Sequence, residues 1–298
     1  MSIQDQVRFQ FSFSGGYADE NALDLYDAAQ ALLGFQRSLA LTTHLVLNGK
    51  IITQTPYLKG ARIYALPPEA GSWKVQAVIA IGLTGLYNLG TAQSNSPLGH
   101  IMYSLYDYVV SESLGVHVDY NKTLGVLYEE AKANKLKLHP VTQSQADSLI
   151  EKCENAIQEM HRPIYMSQTA ESAEISCTLD MQDHQLHTNL DMESYHFIHQ
   201  TRQADAPEEV EGRISSYNVN TFKGRIYVPA FGRPISFELS PKARTRDAAR
   251  VITTSLHHNA TNQGGASGSV VHAVVFRNTS KTGHLKRLTI TAISNAPR

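Results

Sequence analysis

Residues 223–259 read KGRIYVPAFGRPISFELSPKARTRDAARVITTSLHHN, and their hydrophobic period changes partway along. Gly224, Ile226 and Val228 alternate with Lys223, Arg225 and Tyr227, and Ile235, Phe237 and Leu239 alternate with Pro234, Ser236 and Glu238. A period of two with one apolar and one mainly polar face predicts two half-buried strands. Ser240-Pro241 then supplies a helix cap followed by an N1 proline. Ala248, Val251, Ile252 and Leu256 follow the helical period and predict a helix ending near Asn259.

The neighbouring sequence completes the pattern. Upstream, Val210, Gly212 and Ile214 alternate with Glu211, Arg213 and Ser215, which predicts a further strand. Downstream, a Gly/Ser/Asn-rich loop runs over 259–269. Val270–Phe276 is apolar on both faces and predicts a fully buried strand. A turn over 278–283 precedes Leu288, Ile290 and Ala292 on a last strand. Three strands, a helix and two strands predict a small β-barrel, OB-like or SH3-like, with a small sandwich as the other solution to the same pattern.

Charge is sorted by position along the same chain. Residues 211–298 carry 13 Lys/Arg against 3 Asp/Glu, a net of +10, while residues 1–210 carry 13 against 24, a net of −11. The formal total of −1 conceals this split. Such asymmetry suits nucleic-acid binding or charge-driven assembly. The sign changes after the polar, acidic stretch 203–209, which predicts a linker.

The acidic part predicts α+β structure. Val7, Phe9, Phe11 and Phe13 alternate with Arg8, Gln10, Ser12 and Ser14 on a strand ending at Gly15-Gly16. A long helix follows, with Asp19 or Asn21 as its expected cap and Asn48-Gly49 as its stop. Short strands are expected over 51–55 and 61–66, with 72–80 returning as a hairpin. Further helices are expected near 82–90, 98–114, 121–135 and 142–161, and a strand near 172–180. The expected organisation is therefore α+β: an N-terminal antiparallel sheet with long helices (1–140), a helical connector and linker (141–206), and a basic barrel (207–298).

Residues 75–106 hold no Lys, Arg, Asp or Glu. Polar residues 93–96 and Pro97 interrupt them, so a buried hairpin or subunit interface is expected rather than a membrane span. No basic, apolar leader precedes the first strand, and Cys153 and Cys177 suit a reducing compartment better than a disulfide scaffold. A cytoplasmic location follows as an expectation.

The barrel supplies the main candidate site. In an OB-like register Lys223, Arg225 and Tyr227 face outward beside Arg213, flanked by loops that carry Tyr217 and Lys281, with Arg233, Lys286 and Arg287 nearby. Cations offset phosphate charge and aromatic rings stack on bases, so this set suits single-stranded nucleic acid. The bland alternative is that the rings pack and the cations only solvate the barrel or dock against the acidic part.

Two HxxH pairs, His184 with His187 and His196 with His199, offer imidazole ligands for a transition metal and hence a metal-dependent hydrolase. Thirteen histidines in 298 residues make such clustering easy by chance. Gly264-Gly265-Ala-Ser-Gly268 has no following Lys-Ser/Thr, and neither G-x-S-x-G nor H-E-x-x-H occurs. No catalytic residue or cofactor is expected. The function expected is binding and assembly: nucleic acid on the barrel, with a homo-oligomer or protein partner on the N-terminal domain. The alternative is a structural subunit of a ring, filament or defence-type complex held by acidic-to-basic docking between protomers. An accessory role in a bacterium or phage, antiviral defence included, is compatible with either.

Overall fold

The computed structural model describes residues 7–52, 58–66, 73–81, 96–133, 139–179, 181–199, 201–261, 266, 268–279 and 285–295. The chain divides into two units, Met1–Ile198 and His199–Arg298.

The first unit is built on β1 (Arg8–Ser14), whose alternation is realised in full: Phe9, Phe11 and Phe13 are buried, and the polar residues between them face the other side. After a 3₁₀ turn (Gly16–Glu20), α1 (Leu25–Asn48) begins. Its cap is Asp24, not Asp19 or Asn21. The Asp24 carboxylate accepts the Tyr26 and Asp27 N–H groups at 3.1 and 3.0 Å. Asn21 instead takes a left-handed conformation, φ 61°, that ends the 3₁₀ turn.

Next come β2 (Ala61–Leu66), β3 (Lys74–Ile81), α2 (Pro97–Ser113) and α3 (Val126–Ala133). The expected helix near 82–90 and most of the expected strand 51–55 lie outside the described residues. Ile51 and Ile52 are not in a strand. α4 (Gln143–Met160) opens with a capping box: Thr142 Oγ1 accepts the Gln145 N–H, and the Gln145 side chain accepts the Thr142 N–H. α5 (Arg162–Tyr165), β4 (Ser172–Leu179), β5 (Gln182–Gln185) and α6 (Met192–His199) follow.

The strands form an antiparallel sheet in the order β2-β3-β1-β4-β5. Phe9 lies opposite Ala77 on β3 and Cys177 on β4, so three strands contribute to one apolar face. Helices cover it. Phe9 meets Tyr106 of α2 edge-on at 5.1 Å between ring centroids, and Phe11 meets Phe35 of α1 at 5.0 Å. Each buried ring contributes about 1.5–3 kcal/mol through its removal from water.

Residues 141–198 are not a separate connector. Leu149, Cys153, Ile157 and Met160 of α4 join the same core as Phe9 and Tyr106. A side chain at Gly34 would run into the Ala156 carbonyl, so α1 and α4 cross at backbone contact. β4 lies beside β1. The amphipathic period of α4 gave its buried face, but a period does not say what that face packs against.

The second unit contains β6 (Arg202–Gln203), β7 (Glu208–Asn218), β8 (Lys223–Val228), β9 (Arg233–Leu239), α7 (Arg246–Ala260), β10 (Val271–Thr279) and β11 (Leu285–Ser294). Pairings run β7-β8-β9-β11-β10 and return to β7, closing a five-stranded barrel. Only β9 and β11 are parallel, with Leu288 beside Phe237. The helix sits between the third and fourth barrel strands, as the OB-like expectation requires. Ile214, Ile226, Ile235, Phe237, Ile252, Ala273, Leu288 and Ile290 fill the interior.

Two local expectations differ. Ser240-Pro241 starts only a 3₁₀ turn (Pro241–Ala243), and α7 starts later, capped by Thr245 Oγ1 on the Ala248 N–H at 3.1 Å. β10 alternates rather than burying both faces, with Val274 and Phe276 only partly covered.

Candidate nucleic-acid interface on the barrel

The barrel register decides which candidate residues share a surface. Arg213 stands opposite Tyr227, and Tyr227 opposite Pro234. Ser216 stands opposite Arg225, and Arg225 opposite Ser236. Asn218 stands opposite Lys223, and Lys223 opposite Glu238. Arg213, Arg225, Lys223 and Tyr227 therefore line the outer surface of β7 and β8. Arg287 reaches the same surface from β11, its Nη1 lying 3.5 Å from Glu238 Oε2.

Their exposure is unequal. Arg213 is exposed and Tyr227 keeps 39% of its surface, whereas Arg225 keeps only 3%. Burial removes Arg225 from the cations open to a ligand. Arg233 lies opposite Val228, whose side chain points inward, so it belongs to the end of the barrel. Lys286 is half-buried, two residues before the core residue Leu288. Lys281 lies outside the described residues.

Tyr217 is not in a loop and does not face outward. It extends β7 and stacks on Phe237, with ring centroids 6.2 Å apart and planes 12° apart. Burial pushes its phenol above the ordinary tyrosine range. The cause is a register shift between Ile214 and Ser216, where one extra residue inverts the in–out order of the strand.

A second group of exposed cations lies on the 3₁₀ turn and first turns of α7: Lys242, Arg244, Arg246 and Arg250. Arg250 has Asp247 at 3.7 Å. Arg244 lies over the Phe222 ring at 4.6 Å and donates from Nε to the Leu239 carbonyl at 3.1 Å. The sequence signal was the run PKARTRDAAR itself, which the strand argument passed over.

The four histidines of the metal alternative do not converge. His187 is held by Asp107, His184 lies against Tyr103 at 6.0 Å between ring centroids, and His196 lies beside the Tyr195 ring. Among the described residues no group of three or more His, Cys, Asp or Glu is placed to hold a metal ion. Asp107 is the residue sequence reasoning missed. It sits in the uncharged-looking stretch's immediate wake, on α2, and is buried. Gly15 and Gly16 both have positive φ, and the Gly15 N–H is taken by the Asp19 carboxylate at 2.9 Å, so this turn satisfies its own donor.

The outer face of the N-terminal sheet is polar. Gln10, Ser12, Glu174, Ser176, Asp183 and Gln185 line a depression of about 370 Å³. Gln185 already donates to Glu174 at 2.7 Å, and Thr178 to Asp183 at 2.7 Å. No helix among the described residues is long and apolar enough to cross a membrane.

The two-unit architecture coincides with two sequence families. An α+β unit followed by a small barrel defines the class, and the chain belongs to the family described as a domain of unknown function, DUF7946, whose model matches residues 9–199. Residues 206–294 match a second model, described as the family of unknown function DUF7947. No curated protein and no solved structure matches the chain.

Proposed function

We propose that this protein is a non-enzymatic binding and assembly protein whose barrel contacts nucleic acid, single strands preferred, while the N-terminal unit mediates oligomerisation or partner binding. One observation carries the reading: the barrel register aligns Arg213 and Lys223 with Tyr227 on the outer surface of the first two strands. In OB-like barrels the second and third strands form the usual ligand face. Aromatic stacking supplies about 1–3 kcal/mol per base, and the cations supply salt-dependent affinity. The exposed Lys242–Arg250 run adds positive charge to the same unit. The two free, buried thiols, Cys153 and Cys177, suit a reducing cytoplasm.

The test is binding of a labelled oligo(dT) strand by fluorescence anisotropy at several salt concentrations. Four phosphate contacts give a slope of log affinity against log salt of about −3. The double variant Arg213→Glu with Tyr227→Ala should abolish binding. Equal affinity in variant and parent, or none in the parent, overturns the reading. The charge split of −11 and +10 favours a second reading, a subunit assembled by acidic-to-basic docking between protomers. That reading expects an oligomer free of nucleic acid that dissolves at high salt.

A further inference from the structure

The first half of α1 carries an apolar stripe on its solvent side. Leu25 is 85% exposed, Tyr26 63% and Leu33 59%, and Ala29 between them is exposed as well. Tyr26, Ala29, Leu33 and Gln36 follow the alternating three–four spacing of a helix-pairing seam. The buried side of the same helix, from Ala28 and Ala31 to Phe35 and Leu39, is already used by the core. The exposed stripe is therefore a second apolar face on a helix that has already satisfied its first.

Charge at its two ends identifies what fits it. Asp19, Glu20 and Asp24 are exposed at the N-terminal end, and Arg37 is exposed at the other. Among the described residues Arg37 has no ion-pair partner. A helix laid antiparallel on the stripe should thus be basic where α1 is acidic and acidic where α1 is basic. A second α1 meets that demand. Pairing Leu33 with Ala29 of the second copy places Tyr26 against Gln36 of that copy and Arg37 beside its Asp24. The small Ala29 at the centre lets the two backbones approach, and opposed helix dipoles favour the antiparallel sense.

The flank is ordered for such a contact. Arg162 Nε donates to Asp27 at 2.9 Å, and its guanidinium lies 5.2 Å from the Tyr26 ring centroid. That fixes a large exposed ring at the rim of the stripe. Thr169 Oγ1 accepts the Asp24 N–H at 3.5 Å, so the segment from Arg162 to Thr169, with exposed Met166, borders the same end.

We infer that the N-terminal unit forms a two-fold homodimer by antiparallel pairing of the exposed α1 stripe. This deepens the assembly half of the proposed function and rests on that half alone. The contact is isologous, so the set that closes it is the same on both copies and growth stops at two.

Sedimentation equilibrium on the full chain, stripped of nucleic acid as judged by its absorbance at 260 nm, tests it without involving the barrel. The parent should be a dimer at micromolar concentration. Leu33→Glu places a charge at the centre of the contact and should weaken dimerisation by about tenfold or more. Its far-UV circular dichroism should be unchanged, because Leu33 is exposed and outside the core. Ala29→Cys should be cross-linked between copies by a short bismaleimide, the native thiols being buried. A monomeric parent overturns the inference. So does a dimer insensitive to Leu33→Glu that gives no cross-link through position 29. Either failure leaves oligo(dT) binding by the barrel untouched.

Discussion

Asp107 and His187 are joined through both the side chain and the backbone. The Asp107 carboxylate accepts the His187 Nδ1–H and also the His187 backbone N–H at 2.8 Å. Ser111 Oγ, one turn further along α2, donates to the same carboxylate at 3.0 Å. The carboxylate is buried while the imidazole reaches solvent. A buried charge with this many donors anchors the chain leaving β5 onto α2.

Replacing Asp107 by alanine should therefore destabilise the N-terminal unit by about 2–3 kcal/mol, because donors that it satisfies are left unpaired. His187→Ala keeps the backbone bond and should cost about 1 kcal/mol or less. Urea unfolding followed by far-UV circular dichroism measures both. Equal losses in the two variants would show that the backbone bond carries little.

Gly34→Ala should be more damaging than its size suggests. The added methyl group collides with the Ala156 carbonyl and comes within 3.1 Å of Met160 Cγ. Neither helix can move apart without opening the core at Phe35 and Ile157. A loss of about 3 kcal/mol or more in unfolding free energy is expected. Wild-type stability in this variant would mean that α1 and α4 do not cross as described.

The two tyrosines of the candidate interface should separate cleanly. Tyr227→Ala should leave barrel stability within about 0.5 kcal/mol and weaken oligo(dT) binding by about 1–3 kcal/mol. Tyr217→Ala should do the reverse, destabilising the barrel by about 2–4 kcal/mol through loss of the stack on Phe237. Paired melting and anisotropy measurements on both variants read the difference.

Alkaline titration reports on the N-terminal core. Burial, reinforced by the Asp107 charge, pushes the Tyr103 hydroxyl up to about 12, and burial with the Asp147 charge pushes Tyr120 up to about 12. Their folded values lie above the unfolded value of about 10. The stability they contribute is present below pH 10 and is lost as pH rises towards 12. Absorbance near 295 nm should show these two ionising above the ordinary tyrosine range, and stability should fall across that window.

The elements themselves were largely legible. Period-two alternation marked β1, β7, β8 and β9, because each has one face on a core and one on solvent. What escaped was non-local or depended on one inserted residue. Asp107 and His187 are far apart in sequence, so no spacing rule connects them. Tyr217 was expected in a flanking loop, whereas β7 runs on through it and the register shift before Ser216 turns it inward. Arg225 was placed on the correct strand face by its period, yet a period carries no information about coverage. Residues 141–198 looked like a connector because their partners, α1 and β1, lie at the other end of the unit.

β1 pairs on one side with β3 and on the other with β4, where Arg8 meets Thr178. The first described strand is thus an interior strand of its sheet. As the protein emerges from a ribosome, β1 has one edge unsatisfied until most of the unit has been made, and the barrel waits likewise for β11 to close against β9. Such long-range closures slow folding and lengthen the time that an apolar strand edge is available to neighbouring chains. Synthesis rate and chaperone supply, more than final stability, should then govern how much of this protein is recovered intact.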